Sequence, residues 1–100
     1  MQKVYIAGKI NGNPTFREDF QQQEDKLIKQ GYAVLNPAKL PDGIGYEDCM
    51  YLCFAMIDIA DIVWLLPNWK DSPGATREYE YALKNKKCIR GSEDVEGAQI

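Results

Sequence analysis

Histidine is absent from this chain, so no imidazole is present to serve as base, proton shuttle or metal ligand. Cysteine is sparse: Cys49, Cys53 and Cys88 are the three present, an odd number that cannot all pair within one chain. Without histidine, the usual cysteine–histidine zinc sets cannot be completed. Cys49 and Cys53, four apart on an expected helix, read instead as small buried apolar residues. No metal or other cofactor is expected. Apolar runs fall far short of the roughly 20 residues that span a bilayer, which argues against a membrane partner. Met1-Gln2-Lys3-Val4-Tyr5 runs straight into a strand and lacks the three-part form of an export signal. Reduced thiols in a cytoplasm are therefore the expectation. Basic residues are not in excess either. The formal net charge is −3, which speaks against a broad footprint for duplex nucleic acid. Internal repeats and low-complexity segments are missing as well.

What is present suits one compact domain. The chain has 100 residues, of which 45% are apolar, enough for one core and little more. Lys3 to Ala7 reads as a strand ended by Gly8, and Gly8 to Pro14 as a loop rich in glycine and asparagine. Thr15 and Glu18 form a capping-box pattern before a helix striped by Phe16, Phe20, Leu27 and Ile28, with Gly31 as its C-terminal stop. Tyr32 to Leu35 is a second strand. Ala38 to Gly45 is a loop with a turn at Pro41-Asp42-Gly43. Tyr46 to Ala60 is apolar enough to predict a well-buried helix. Ile62 to Leu66 is a third strand with Trp64 in the core, Ala75 to Asn85 a third helix, and Lys87 to Ile89 a fourth strand. Residues 91–100 read as a tail after a domain spanning 1–90.

Alternation of strands and helices predicts an α/β fold. The expected form is a three-layer sandwich around a doubly wound parallel sheet, of the Rossmann or flavodoxin-like kind. Four strands in the order 2-1-3-4 are expected, with room for a fifth. In that order the loops after strands one and three adjoin at the switch point, where open α/β sheets bind ligands. One of those loops is Gly8 to Pro14; the other is Asp71-Ser72-Pro73-Gly74-Ala75-Thr76-Arg77-Glu78. Ser72 reads either as a helix cap or, with the free amides of the first turn, as an anion holder. Glu78 is either a solvated carboxylate or a positioned nucleophile for a sugar carbon. Glu80, two residues on, points the other way. Trp69 stands just ahead, able to stack on a base or to form a rim or dimer contact.

Three segments together carry a family resemblance. They are Tyr5-Ile6-Ala7-Gly8-Lys9-Ile10-Asn11-Gly12, Ala60-Asp61-Ile62-Val63, and Ser72-Pro73-Gly74-Ala75-Thr76-Arg77-Glu78-Tyr79-Glu80-Tyr81-Ala82-Leu83. In this order they resemble the nucleoside 2-deoxyribosyltransferase-like superfamily, which includes 2′-deoxynucleoside 5′-phosphate N-hydrolases. The likeness is greatest to small bacterial and phage members and runs to about Arg90. It implies that Glu78 attacks the anomeric carbon, that Tyr5 orients Glu78, and that Ser72 holds a 5′-phosphate. It also implies that Gly8, Lys9, Ile10 and Asn11 wrap the sugar and phosphate, with Gly74 in the adjoining turn. The chain departs from the pattern in two places. Cys53 stands where the enzymes carry a second acid, eight residues before Asp61, and Thr76 replaces the turn's second glycine. Asp71 is the candidate substitute for the missing acid.

The expected function is to cleave or transfer at the N-glycosidic bond of a (deoxy)nucleoside 5′-phosphate through a glutamate nucleophile, with a small-molecule nucleotide or nucleoside as partner. A non-catalytic binder of a nucleotide or nucleotide-derived signal on the same fold is the alternative, and an interaction protein with a vestigial site is a third reading. By resemblance, the chain is expected to form a homodimer or higher homo-oligomer.

Overall fold

The structure, a computed structural model, describes residues 1–91; the remainder of the expected tail, 92–100, lies outside the described residues. Four strands form one parallel sheet: β1 (Lys3–Ala7), β2 (Ala33–Leu35), β3 (Ile62–Leu65) and β4 (Cys88–Gly91). Their order is β2-β1-β3-β4, as expected. In register, Tyr5 lies between Leu35 and Val63, and Trp64 lies between Ile6 and Arg90. Three helices cover the sheet: α1 (Phe16–Lys29), α2 (Tyr46–Ile59) and α3 (Pro73–Lys84). Short 3-10 turns occupy Pro37–Lys39 and Trp69–Asp71.

Central strand β1 is apolar on both faces because both faces are covered. Its alternate residues feed two cores. Val4 and Ile6 pack with Phe20 and Leu27 of α1, while Tyr5 and Ala7 pack with Cys53 and Ile57 of α2 and with Ala75 and Ala82 of α3. Each large side chain buried this way is worth about 1.5–3 kcal/mol relative to exposure.

Several local expectations give way to tertiary packing. Thr15 is the N-cap of α1 but makes no capping bond. Its hydroxyl pairs with Asn13 Oδ1 and Asp19 Oδ2, both at 3.2 Å, so the Thr15–Glu18 box does not form. Ile28 lies off the covered stripe and is half exposed, whereas Glu24 is buried between Phe20 and Leu27. Helix α2 buries only the line Met50, Cys53 and Ile57; Tyr51, Leu52 and Ile59 stand exposed. Apolar composition predicted burial all round, but the sheet covers one side of a helix. Trp64 is half-buried on the α1 side, with its Nε1 buried and unpartnered. Strand β4 extends to Gly91, which pairs with Leu65.

The buried Glu24 ties α1 to the segment after β2. Its carboxylate accepts from Lys39 Nζ at 2.8 Å, Asn36 Nδ2 at 3.1 Å and Gln21 Nε2 at 3.2 Å. Asn36 Oδ1 in turn accepts from Ala38 N at 2.9 Å. Nearby, Arg17 donates to the Ala38 carbonyl at 3.1 Å and to Asp42 at 2.7 Å. Residues 36–45 are thereby strapped to α1. Burial pushes the Glu24 carboxyl up, but the hydrogen bonds from Lys39, Asn36 and Gln21 outweigh it and hold it below the ordinary glutamate value.

Helices α1 and α3 end alike. Tyr32 N donates to Leu27 O and Gly31 N to Ile28 O; Lys87 N donates to Ala82 O and Lys86 N to Leu83 O. Both are Schellman motifs, which want a left-handed residue after the cap. Gly31 supplies it at φ +94°, but the second motif uses Lys86 at φ +57°.

Two predictions follow from these contacts. Lys86→Gly relieves the Cβ cost of a left-handed residue, so thermal denaturation is expected to show a gain of about 0.5–1 kcal/mol. Glu24→Ala is expected to cost about 2–3 kcal/mol by urea unfolding, because charged hydrogen bonds are lost. Since folding lowers the Glu24 pKa, its contribution is full above the unfolded value of about 4.3. It is lost as pH falls through the folded value, so wild type and Glu24→Ala should converge in stability in acid.

Candidate functional site

Strands β1 and β3 end side by side, and their following segments meet as the sheet order requires. Gly8 ends β1 directly beneath Leu66. A Cβ on Gly8 would lie 2.7 Å from Leu66 Cδ1, so no side chain fits without displacement there. The Lys9 amide donates to Asn68 Oδ1 at 3.1 Å, fastening one loop to the other. Above this junction lies a cavity of about 640 Å³, within the range of small-molecule sites.

Four parts of the chain and Phe16 of α1 line it. Gly8, Ile10 and Asn11 come from the first loop, and Ser72, Gly74, Ala75 and Glu78 from the start of α3. The strap contributes an apolar wall that includes Pro37, Leu40 and Ile44, together with Asp42. Helix α2 adds Tyr46, Cys49, Met50 and Cys53. Spacing in the sequence pointed to the first two parts. It did not point to the strap or to the face of α2, although Pro41-Asp42-Gly43 was visible as a turn. That turn is brought over the cavity by contacts to Arg17 and Glu24, which are remote in sequence.

The other expected residues are placed as follows. Tyr5 is fully buried in β1 on the same side as Glu78 and Cys53. Trp69 is 6% exposed and packs on Tyr79, ring centroids 4.5 Å apart; it belongs to the core and does not line the cavity. Asp71 is exposed on the 3-10 turn and also outside the lining, as is Lys9. Glu78 is 6% exposed while Glu80 faces solvent.

Electrostatically the site centres on Glu78. Burial pushes its carboxyl up to about 7, although the Tyr5 hydroxyl, the Cys53 thiol and the Arg77 charge pull the other way. Burial likewise raises Cys53 far above the ordinary thiol value, and the Glu78 charge adds to it. Tyr5 is raised by burial first, then by Glu78 and Cys53. Its hydroxyl is buried beside the Glu78 carboxyl and the Cys53 thiol. At neutral pH the site therefore holds an un-ionised phenol and thiol around a carboxyl raised well above the ordinary glutamate range.

The start of α3 offers little to an anion. Ser72 Oγ caps the helix, accepting from Ala75 N at 3.1 Å, and Thr76 N donates to Ser72 O. Pro73 has no N–H, which leaves Gly74 as the first-turn amide without an intrahelical or cap acceptor among the described residues. Among the described residues, no lysine or arginine lines the cavity, and two carboxylates, Glu78 and Asp42, do.

No helix among the described residues is long and apolar enough to cross a membrane. The fold is that of the nucleoside 2-deoxyribosyltransferases. The chain superposes on the 2-desoxiribosyltransferase from Leishmania mexicana with a TM-score of 0.72 at 20% identity. That match covers 91% of this chain and 63% of the other, so this chain spans less than two thirds of its structural neighbour. No curated protein matches the chain. The sequence profile of the domain of unknown function DUF4406 matches residues 2–90, and the chain belongs to that family.

Proposed function

We propose that the cavity binds a nucleoside and that Glu78 attacks its anomeric carbon, breaking the N-glycosidic bond. One observation carries the reading: a carboxylate and a phenol hydroxyl are buried together beside a ligand-sized cavity. Removing an ionisable carboxyl from water costs free energy. Such costs are retained where a ligand or reaction uses the groups. In the first step a Glu78 oxygen bonds to the anomeric carbon, and the bonding pair leaves with the base nitrogen. Water or a second base then displaces the glutamyl ester, giving hydrolysis or transfer. Tyr5 is the orienting group in this reading. A glutamate with a pKa near 7 is a stronger nucleophile than an ordinary one and is still substantially ionised at neutral pH. The Leishmania neighbour's description as a 2-desoxiribosyltransferase supports the same chemistry.

Cys53 favours a second reading. Its thiol, with its pKa raised, is a poor proton donor to a departing base, and Asp71 lies outside the cavity. A protein that binds the nucleoside without cutting it has the same pocket. Nucleobase release from a panel of ribo- and deoxynucleosides, with and without 5′-phosphate, separates the two.

The resemblance to the hydrolases carries a 5′-phosphate, but the uncharged nucleoside suits this lining better. Glu78 repels an anion once ionised, Asp42 is already paired with Arg17, and one free amide does little to hold one. Calorimetry on matched pairs should find the free nucleoside bound at least as tightly as its 5′-monophosphate. A clear preference for the monophosphate would instead assign phosphate holding to Ser72 and Lys9.

If Glu78 is the nucleophile, Glu78→Gln should lower base release by several orders of magnitude with little change in affinity. Glu80→Gln should leave both near wild type. Wild-type turnover should rise with pH as Glu78 ionises, through about 7. The same carboxyl costs stability. Because folding raises its pKa from 4.5 to about 7, the folded protein retains a proton that the unfolded chain releases in that window. Stability therefore falls as pH rises through it. Glu78→Gln should thus melt above wild type at about pH 8 and approach it below the unfolded value. Retained turnover in Glu78→Gln excludes the nucleophile role.

A further inference from the structure

Tyr46, the first residue of α2, is 42% exposed and lines the cavity. Its ring is held from two sides. The Arg77 guanidinium lies 5.5 Å from the ring centroid and 5.7 Å from that of Phe54. Arg77 is tied to Glu47 by two contacts of 3.3 and 3.4 Å. At one edge of the ring stands Gly74, where an added Cβ would lie 3.7 Å from both Tyr46 Cε1 and its hydroxyl oxygen. Phe54, under the same guanidinium, is itself stacked on Tyr81 at 4.4 Å. An exposed aromatic at a cavity wall, backed by an arginine whose other contacts fix it in turn, loses little freedom when a flat ring settles on it. Phe16, the first residue of α1, is the other aromatic in the lining; it is half-buried against the Val4–Ile6 core, with the Arg17 guanidinium 4.8 Å from its ring centroid.

Position supports the same role. Gly74 and Glu78 are one turn apart on α3, a rise of about 6 Å. Tyr46 touches the Gly74 end of that turn, and Glu78 is at the other. A nucleoside with its anomeric carbon at the Glu78 carboxyl has its base directed to one side of that carbon, and the aromatic wall stands one helical turn away.

We propose that Tyr46 is the platform on which the heterocyclic base stacks, and that Arg77, anchored by Glu47, is the positioning residue that holds it. This rests on the nucleoside reading for the choice of ligand, but not on catalysis. The order of affinity is then set by ring area, purines above pyrimidines, with little demand on the exocyclic groups, because stacking is tolerant of sequence.

The test uses adenine and uracil, bases with no bond to cut, titrated calorimetrically into the full-length protein. Wild type should bind adenine more tightly than uracil. Tyr46→Leu should weaken adenine about tenfold or more, whereas Tyr46→Phe stays within about threefold. Arg77→Met should give a smaller loss, and Tyr46→Leu/Arg77→Met should be no weaker than Tyr46→Leu alone. That non-additivity is the signature of a residue acting through another. A second measurement needs no variant: adenine bound to wild type should show hypochromism of its ultraviolet absorbance. The platform is overturned if wild type binds neither base, if hypochromism is absent, or if Tyr46→Leu binds adenine as wild type does. Equal losses in Tyr46→Phe and Tyr46→Leu also overturn it, because the hydroxyl and not the ring would then be the contact. Tyr46-dependent adenine binding without base release from any nucleoside sinks the catalytic reading alone and leaves the platform standing.

Discussion

Enclosing the Glu78 carboxyl beside the Tyr5 hydroxyl is the constraint around which the rest of this small domain is arranged. Both groups are buried, and burial raises the pKa of each. Such an arrangement works against folding. It persists because the strand that carries Tyr5 is packed from both faces and the helix that carries Glu78 is anchored along its length. Ala75 and Ala82 sit against the sheet one turn before and one turn after Glu78. Their small size lets α3 approach closely enough to bring the carboxyl to the phenol. Cys53 completes the enclosure from α2 with a neutral thiol, which adds no charge to compete with Glu78 for its proton.

A second polar cluster has the opposite character. Glu24 is also buried, but each of its contacts is a donor: lysine, asparagine and glutamine. Its carboxylate is stabilised, and it fastens the strap of residues 36–45 to α1. The two glutamates show how neighbours decide the sign of a pKa shift when both groups are removed from water. One serves as a tie. The other lines a cavity whose opposite wall depends on that tie.

Much of the site's apolar wall therefore comes from a segment with little regular structure. Its shape is held by long-range contacts from Arg17 and Glu24. Its backbone includes Gly43 at φ +85° and Gly45 at φ +86°, positions that L side chains rarely adopt. On the other side, Tyr46 of α2 lines the cavity and meets Arg77 of α3. Ligand class in this reading follows from the wall as much as from Glu78: the lining is largely apolar, lacks lysine and arginine among the described residues, and carries the aromatic rings of Tyr46 and Phe16.

Sequence alone determined the sheet order, the convergence of the loops after β1 and β3, and the choice of Glu78 over Glu80. These follow from periodicity and from the geometry of parallel sheets, which are local or topological properties. It misplaced what depends on who packs against whom. Trp69, in the loop ahead of α3, read as a base-stacking residue or a rim or dimer contact, yet Tyr79 one and a half turns into α3 packs against it. Helix α2 looked fully buried because apolar content does not say which faces are covered. Thr15 and Glu18 matched a capping pattern, but Asn13 and Asp19 claimed the hydroxyl. The wall formed by the strap and Tyr46, the burial of Glu24 and the raised pKa of Glu78 were decided by tertiary structure, because each arises from groups distant in the chain that only folding brings together and removes from water.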